Sequence, residues 1–255
     1  MCCYCGGTTH AETRDHAPPI SLFRDRQRPK GLEVPACKKC HETFASSDDF
    51  FSAFAQMQAG AVDHFNKLVP MNRLRAIRHR FPAALDHITS KPEPIFLDRN
   101  GLLTEAIKAP IHTDLDFVKH FTCARLTTAL YYDRFASVLP IGTHIATMWQ
   151  SHVQQFQKGL PQPILDLVDS FGTLEMGSQK ASEQFEYGFN FAPEQTIGVV
   201  LFHFHQSFST IGFVYGVSKP KHLNRSGLFE ITEQGIRSIN MLIPDGVHKS
   251  LRRDR

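Results

Sequence analysis

The chain has 255 residues, 42% of them hydrophobic, with 21 Phe, one Trp and a formal charge of +3 when its 14 His are neutral. That length supplies core enough for one large domain, or for a small module joined to a domain of roughly 200 residues. So mild a charge selects no partner class, but the placing of the six Cys excludes a secreted disulfide scaffold, because four fall in two C-x-x-C pairs and leave Cys3 and Cys123 over.

Residues 1–49 are rich in Cys, Gly, Pro and charge and lack long apolar periods. A piece this small needs a metal to supply much of its folding free energy. At Ser47-Asp48-Asp49 the character changes. Ser47 reads as an N-cap with acids in the first turn, followed by Phe51, Phe54, Ala61, Phe65 and Leu68 at helical spacing up to Pro70. The expected division is therefore a zinc module with its exit helix over 1–68 and an α+β domain over 69–255.

The stretch from Asn72 to Ile88 predicts a helix bent or split by Pro82, with Arg73, Arg75, Arg78, His79 and Arg80 as a solvated basic face or a phosphate-contacting one. Residues 91–110 predict a hairpin turning at Asn100-Gly101. From Asp116 to Phe135 a helix is expected, with Phe117, Phe121, Ala124, Thr128, Tyr131 and Phe135 as one stripe and Cys123 as a packed thiol. A mixed stretch with Met148 and Trp149 follows Pro140, then a short segment, ILDLVDSF. Glu186 to Val217 reads as consecutive strands. Helices followed by strands indicate α+β.

His203 and His205, two apart on one of these strands, would share a face, and no Cys or carboxylate nearby completes a metal set. The tail HKSLRRDR reads as a frayed basic end. The apolar run 196–217 is broken by His203, His205, Gln206, Ser207 and Ser209, so no membrane association is expected. With no apolar leader before Cys2, the cytoplasm is the expected compartment.

Two C-x-x-C pairs with 31 residues between them, Cys2/Cys5 and Cys37/Cys40, predict a closed tetrahedral Zn²⁺ site of four thiolates. A closed site has no open position for water, so this zinc is structural. Four Cys alone fit any zinc ribbon. What lies between them narrows the choice: RDHAPPISLF, with Arg14, Asp15 and His16, then RPKGLEVPACKKCH, ending in His41. Over residues 2 to 51 this order resembles the HNH endonuclease family, a two-stranded ribbon, a helix and one divalent metal. CARLTTALYYDRFASVLP and FEYGFNF are similar to C-terminal regions of bacterial HNH proteins of uncharacterised role.

The resemblance implies an endonuclease that hydrolyses DNA phosphodiesters. His16 would be the general base, and Asp15 and His41 would hold a catalytic Mg²⁺, Mn²⁺ or Ni²⁺. Adjacent strand residues point oppositely, so Asp15 could face His41 while His16 faces the phosphate. Without the resemblance an Asp-His pair is an ordinary structural feature. The family's middle Asn aligns with Gly31, leaving Gln27 or Asn66 to support His16. Arg14, Arg24, Arg26, Arg28, Lys30, Lys38 and Lys39 concentrate positive charge around the pair, as phosphate contacts would. Two other readings stand beside this one. One is a catalytically inactive zinc module that binds nucleic acid; the other is an interaction protein whose C-terminal domain meets a protein partner or a second copy.

Overall fold

In the computed structural model the described residues are 1–23, 28–29, 32–60, 75, 78–79, 81–90, 93–99, 102–108, 111–151, 174–178, 181, 184–192, 197–205, 207–217 and 227–241. Strand β1 (Thr13–His16) pairs antiparallel with β2 (Glu33–Ala36), Thr13 opposite Ala36 and His16 opposite Glu33. A 3₁₀ turn at Ile20–Leu22 lies between them. After Cys37 the chain enters helix α1 (Lys38–Gly60), which completes a ββα unit.

Helix α1 therefore starts well before Ser47. The second cysteine pair itself runs into the first turn, so no cap is needed at Ser47, which is buried and donates its hydroxyl to the Phe44 carbonyl at 2.8 Å. Phe50, Phe51 and Phe54 are buried. Pro82 opens a separate helix, α2 (Pro82–Ser90), as the sequence allows, since proline's missing N–H costs nothing in a first turn. Phe81, just before it, stacks on Phe50 with ring centroids 4.6 Å apart. The expected hairpin is present as β3 (Glu93–Arg99) and β4 (Leu102–Lys108). Its turn, the boundary at 68/69, the segment ILDLVDSF and the basic tail lie outside the described residues.

Helix α3 (Thr113–Phe135) is the axis of the molecule. His112 caps it by accepting from the Asp114 N–H at 3.2 Å, acids sit in its first turn and Arg134 in its last, as the helix dipole favours. Ala136, at φ 48°, ends it by donating to the Tyr132 carbonyl. A single apolar stripe was expected, but the helix is buried all round from Phe117 to Tyr131. The reason is packing on both sides: α1 and the ribbon cover one flank and a large sheet covers the other. Inside this environment Thr127 and Thr128 return their hydroxyls to the carbonyls one turn earlier, at 2.8 and 2.9 Å. Buried Lys119 is paired with Asp116 at 3.0 Å and lies 4.0 Å from the Trp149 ring centroid.

The sheet comprises β5 (His144–Ser151), β6 (Glu175–Met176), β7 (Phe185–Phe191), β8 (Ile197–Phe204), β9 (Phe208–Tyr215), β10 (Gly227–Thr232) and β11 (Gly235–Ser238). Their order is β11-β10-β5-β9-β8-β7-β6, with every neighbour antiparallel. The architecture is α+β. Strand β5, the mixed stretch with Met148 and Trp149, lies in the middle of the sheet, and β10 and β11 extend it beyond the strands read from sequence. No helix among the described residues is long and apolar enough to cross a membrane.

One apolar cluster runs continuously from Cys2 through α1 and α3 to Ile236 on β11. Phe51 meets Phe204 and Phe208 at 5.4 and 5.9 Å, and Phe54 meets Trp149 at 5.8 Å, so α1 is seated on the sheet by aromatic edges. Burying each such ring contributes roughly 1.5–3 kcal/mol. Exposed ion pairs such as Lys38–Glu42, at 4.0 Å, contribute ~0–1 kcal/mol, so packing decides how the ββα unit is held.

Close approach of α3 depends on a bare backbone at Gly212 of β9. A Cβ there would lie 1.9 Å from Thr127 Oγ1. Gly212→Ala is expected to lower unfolding stability in urea by about 1–3 kcal/mol through overpacking, with Thr127→Ala in the same chain restoring part of the loss. An unchanged midpoint would remove this contact from the account.

Candidate metal centre and ribbon site

The first knuckle is a tight turn, with the Gly7 N–H on the Cys2 carbonyl at 3.1 Å, and the second opens α1. Together they bring the sulfurs of Cys2, Cys5, Cys37 and Cys40 within 4.8 Å of one another, all buried and none in a disulfide. Four converging thiols fit a zinc ion and no other group suggested by the sequence. Cys2 is already held down to about 5, chiefly because the Cys40 thiol donates to it, and Cys40 is pushed up in exchange. Cys3 belongs to no such cluster; burial pushes its thiol well up. Cys123 is a buried core thiol pushed up by burial to about 12. Lys38 and Lys39 sit over the cysteines, lining with Glu12, Glu42 and Glu233 a shallow cavity of about 250 Å³.

The ribbon separates Asp15 from His16, as strand alternation requires. Asp15 faces inward and is 3% exposed. Its carboxylate accepts from Arg125 Nε at 2.8 Å and Nη2 at 2.5 Å, and from the Tyr4 hydroxyl at 2.5 Å. Arg125 also donates to the His16 carbonyl at 3.1 Å and to Asp48, and its guanidinium lies 4.5 Å from the Phe44 ring centroid. Asp15 is thus met by a fixed cation from α3. The inward residue beside His41 is instead Thr13, whose Oγ1 is 3.1 Å from His41 Nδ1. Asp15, His16 and His41 do not form a three-ligand group; the four cysteines form the one such group among the described residues.

One guanidinium neutralises one carboxylate, and here two carboxylates share it. Tyr4 adds a donor to Asp15 alone. Burial pushes Asp48 up to about 7 although Arg125 pulls the other way. The folded state therefore binds a proton on Asp48 that the unfolded chain releases near the ordinary carboxylate value. Stability from this group is complete below that value and is lost as pH rises toward about 7.

His16 faces outward, with a side chain about one-third exposed and Nδ1 3.6 Å from a Glu33 oxygen across the ribbon. Burial and then the nearby Arg28 lower its pKa, so the imidazole is neutral at pH 7. Glu33 pairs with Arg28, which holds its carboxyl down, and has Arg14 at 4.0 Å. Glu33 is the residue beside His16 that the sequence reading missed. The supports sought at Gln27 and Asn66, and Gly31 itself, lie outside the described residues with Arg24, Arg26 and Lys30. The cross-strand position of an acid two residues into the L-x-V-P strand is the signal that marks Glu33. Arg125 was also missed; the signal it offered is an arginine one turn after Phe121 inside the predicted helix.

His203 and His205 do not share a site. Strand β8 ends at Phe204, and His205 takes φ 48° in the turn, where its Nε2 is 3.2 Å from the Leu22 carbonyl. His203 is instead 2.6 Å from Ser209 Oγ on β9. No family model, no curated protein and no solved structure matches this chain.

Removing one partner from a buried pair costs about 3–5 kcal/mol. Asp15→Ala is expected to lose stability on that scale in urea unfolding, whereas Asp48→Asn, a neutral isostere of the protonated acid, loses far less below pH 6. Equal losses in the two variants would sink the proton assignment. The cysteine site predicts one zinc per chain by elemental analysis, and Cys37→Ser is expected to remove it.

Proposed function

We propose that the chain is a nucleic-acid-binding protein whose zinc-held ββα module offers the outer face of its ribbon to a phosphodiester backbone. The observation that carries this reading is the division of the ribbon. Asp15 is committed inward to Arg125 and Tyr4, while Arg14, His16 and Arg28 converge around Glu33 on the other side. Two arginines against one glutamate leave a net positive charge, and guanidinium groups suit phosphate oxygens. Lys38 and Lys39, over the cysteine cavity with three acids, are less suited to the same strand.

A second reading, a metal-dependent DNA endonuclease, is favoured by His16 itself. A neutral, partly exposed imidazole backed by a carboxylate is equipped to take a proton from water. In that reading Asp15 and His41 hold the Mg²⁺, Mn²⁺ or Ni²⁺ ion, which would supply charge stabilisation at the phosphate. Arg125 weighs against it, since a divalent ion at Asp15 would meet a buried guanidinium already bound to both carboxylate oxygens. We therefore favour binding over cleavage.

The two readings separate in one set of assays. Fluorescence anisotropy on duplex DNA, single-stranded DNA and RNA is expected to show binding that weakens steeply between roughly 50 and 200 mM salt, and Arg14→Ala and Arg28→Ala should each flatten that dependence. Supercoiled plasmid with Mg²⁺, Mn²⁺ or Ni²⁺ is expected to stay intact. Cleavage abolished by His16→Ala would establish the nuclease instead, and absence of binding to all three probes at low salt would rule out both.

A further inference from the structure

The four cysteines come from residues 2 to 40, yet the wall in front of them comes from the far end of the chain. The turn between β10 and β11 places Glu233 and Gln234 on the cavity that Cys5, Cys37 and Cys40 also line. Gly235, which opens β11, has φ +108°, a conformation that side-chain-bearing residues rarely adopt, and a Cβ built on it would lie 3.2 Å from Cys40 Sγ. The Thr8 hydroxyl is within reach of two carbonyls, Cys5 in its own knuckle at 2.9 Å and Glu233 in the turn at 3.3 Å. The first knuckle is also pressed against the segment before β5, for a Cβ at Gly6 would lie 2.6 Å from the Ile141 side chain and one at Gly7 3.1 Å from Val138. The segment bearing Ile141 is in turn bonded to β10, with the Gly142 N–H on the Ile231 carbonyl at 2.8 Å and the Ile231 N–H on the Thr143 carbonyl at 2.9 Å.

We propose that the β10–β11 turn is the closing wall of the four-sulfur centre, with Gly235 as a positioning residue for Cys40. The metal is then held by both ends of the chain, and its loss loosens the β10–β11 edge of the large sheet. A structural zinc in an independent knuckle would leave a strand some two hundred residues away untouched. Here a backbone with no side chain at Gly235 is what lets that strand come against a ligand sulfur. Groups that pack around metal ligands fix their orientation and slow release of the ion.

Two measurements test this. In the first, zinc-loaded full-length protein is challenged with a chromogenic chelator in excess. Gly235→Ala is expected to release zinc ~10-fold faster or more, the scale on which outer contacts of metal sites act, while Met176→Ala, an exposed side chain on β6 at the opposite edge of the sheet, keeps the wild-type rate. Replacing zinc by Co²⁺ in Gly235→Ala should also shift the visible bands of the tetrathiolate. Unchanged release and unchanged bands would overturn the proposal. The second measurement needs no variant and stands if Gly235→Ala fails to fold. Amide hydrogen exchange of the wild-type chain, with and without chelator, is expected to rise at 227–238 along with the knuckles and to stay low at 197–204 in β8. Protection at 227–238 that is indifferent to zinc, or a chain that holds no zinc, would equally overturn it.

Discussion

The small ribbon is hydrogen-bonded to α3 through Arg125, which reaches the Asp15 carboxylate and the His16 carbonyl. A guanidinium wholly removed from water is expensive, and it is tolerated because four acceptors surround it: the Asp15 carboxylate, the Asp48 carboxyl group, the His16 carbonyl and the face of Phe44. Such a cluster is a poor source of net stability, since apolar side chains of equal volume often do as well. What it supplies is position. A guanidinium has its donors in a fixed fork, so Asp15 and the backbone at His16 are set relative to α3 to within hydrogen-bond geometry. The aromatic contacts of α1 supply the larger energy but would accept several orientations.

This constraint fixes what each side of the ribbon can do. Because Asp15 is engaged inward, the outer face is left to His16 and its arginines, and any chemistry or binding there has Glu33 as its nearest carboxylate. The four-cysteine cluster has as its neighbours the knuckle turns and the β10–β11 turn. One end of the molecule thus carries the four-cysteine site, and the ribbon's outer surface carries the arginines on which the proposed phosphate contact rests.

Much of this was legible in the residues. The cysteine pairs announce their cluster because thiolates at C-x-x-C spacing have few other uses, and the β7–β9 strands announce themselves through β-branched and aromatic density. Opposite orientation of Asp15 and His16 follows from the period of a strand. The partner of Asp15 did not follow, because Arg125 lies 110 residues away and long-range ion pairs leave no local periodicity. Strand β5 was obscured for a related reason. Buried on both faces, it lacks the alternation of a half-exposed strand and resembles mixed sequence around Met148 and Trp149. The start of α1 was misplaced because Ser47 has the chemistry of a cap while its hydroxyl is satisfied inside the helix.

The distances along the chain also bear on how it is made. Ribosomes deliver the N-terminus first, at about 5–20 residues per second, so the cysteine knuckles and Asp15 are present for seconds before Arg125 exists. Leu22 waits longer for His205, and Thr8 longer still for Glu233, 225 residues downstream. During that interval the ribbon has metal ligands but no guanidinium for its carboxylate and no sheet beneath α1. A nascent chain that captures zinc early therefore holds a preformed ββα unit with an open underside, and strands made long after it are the ones that close it.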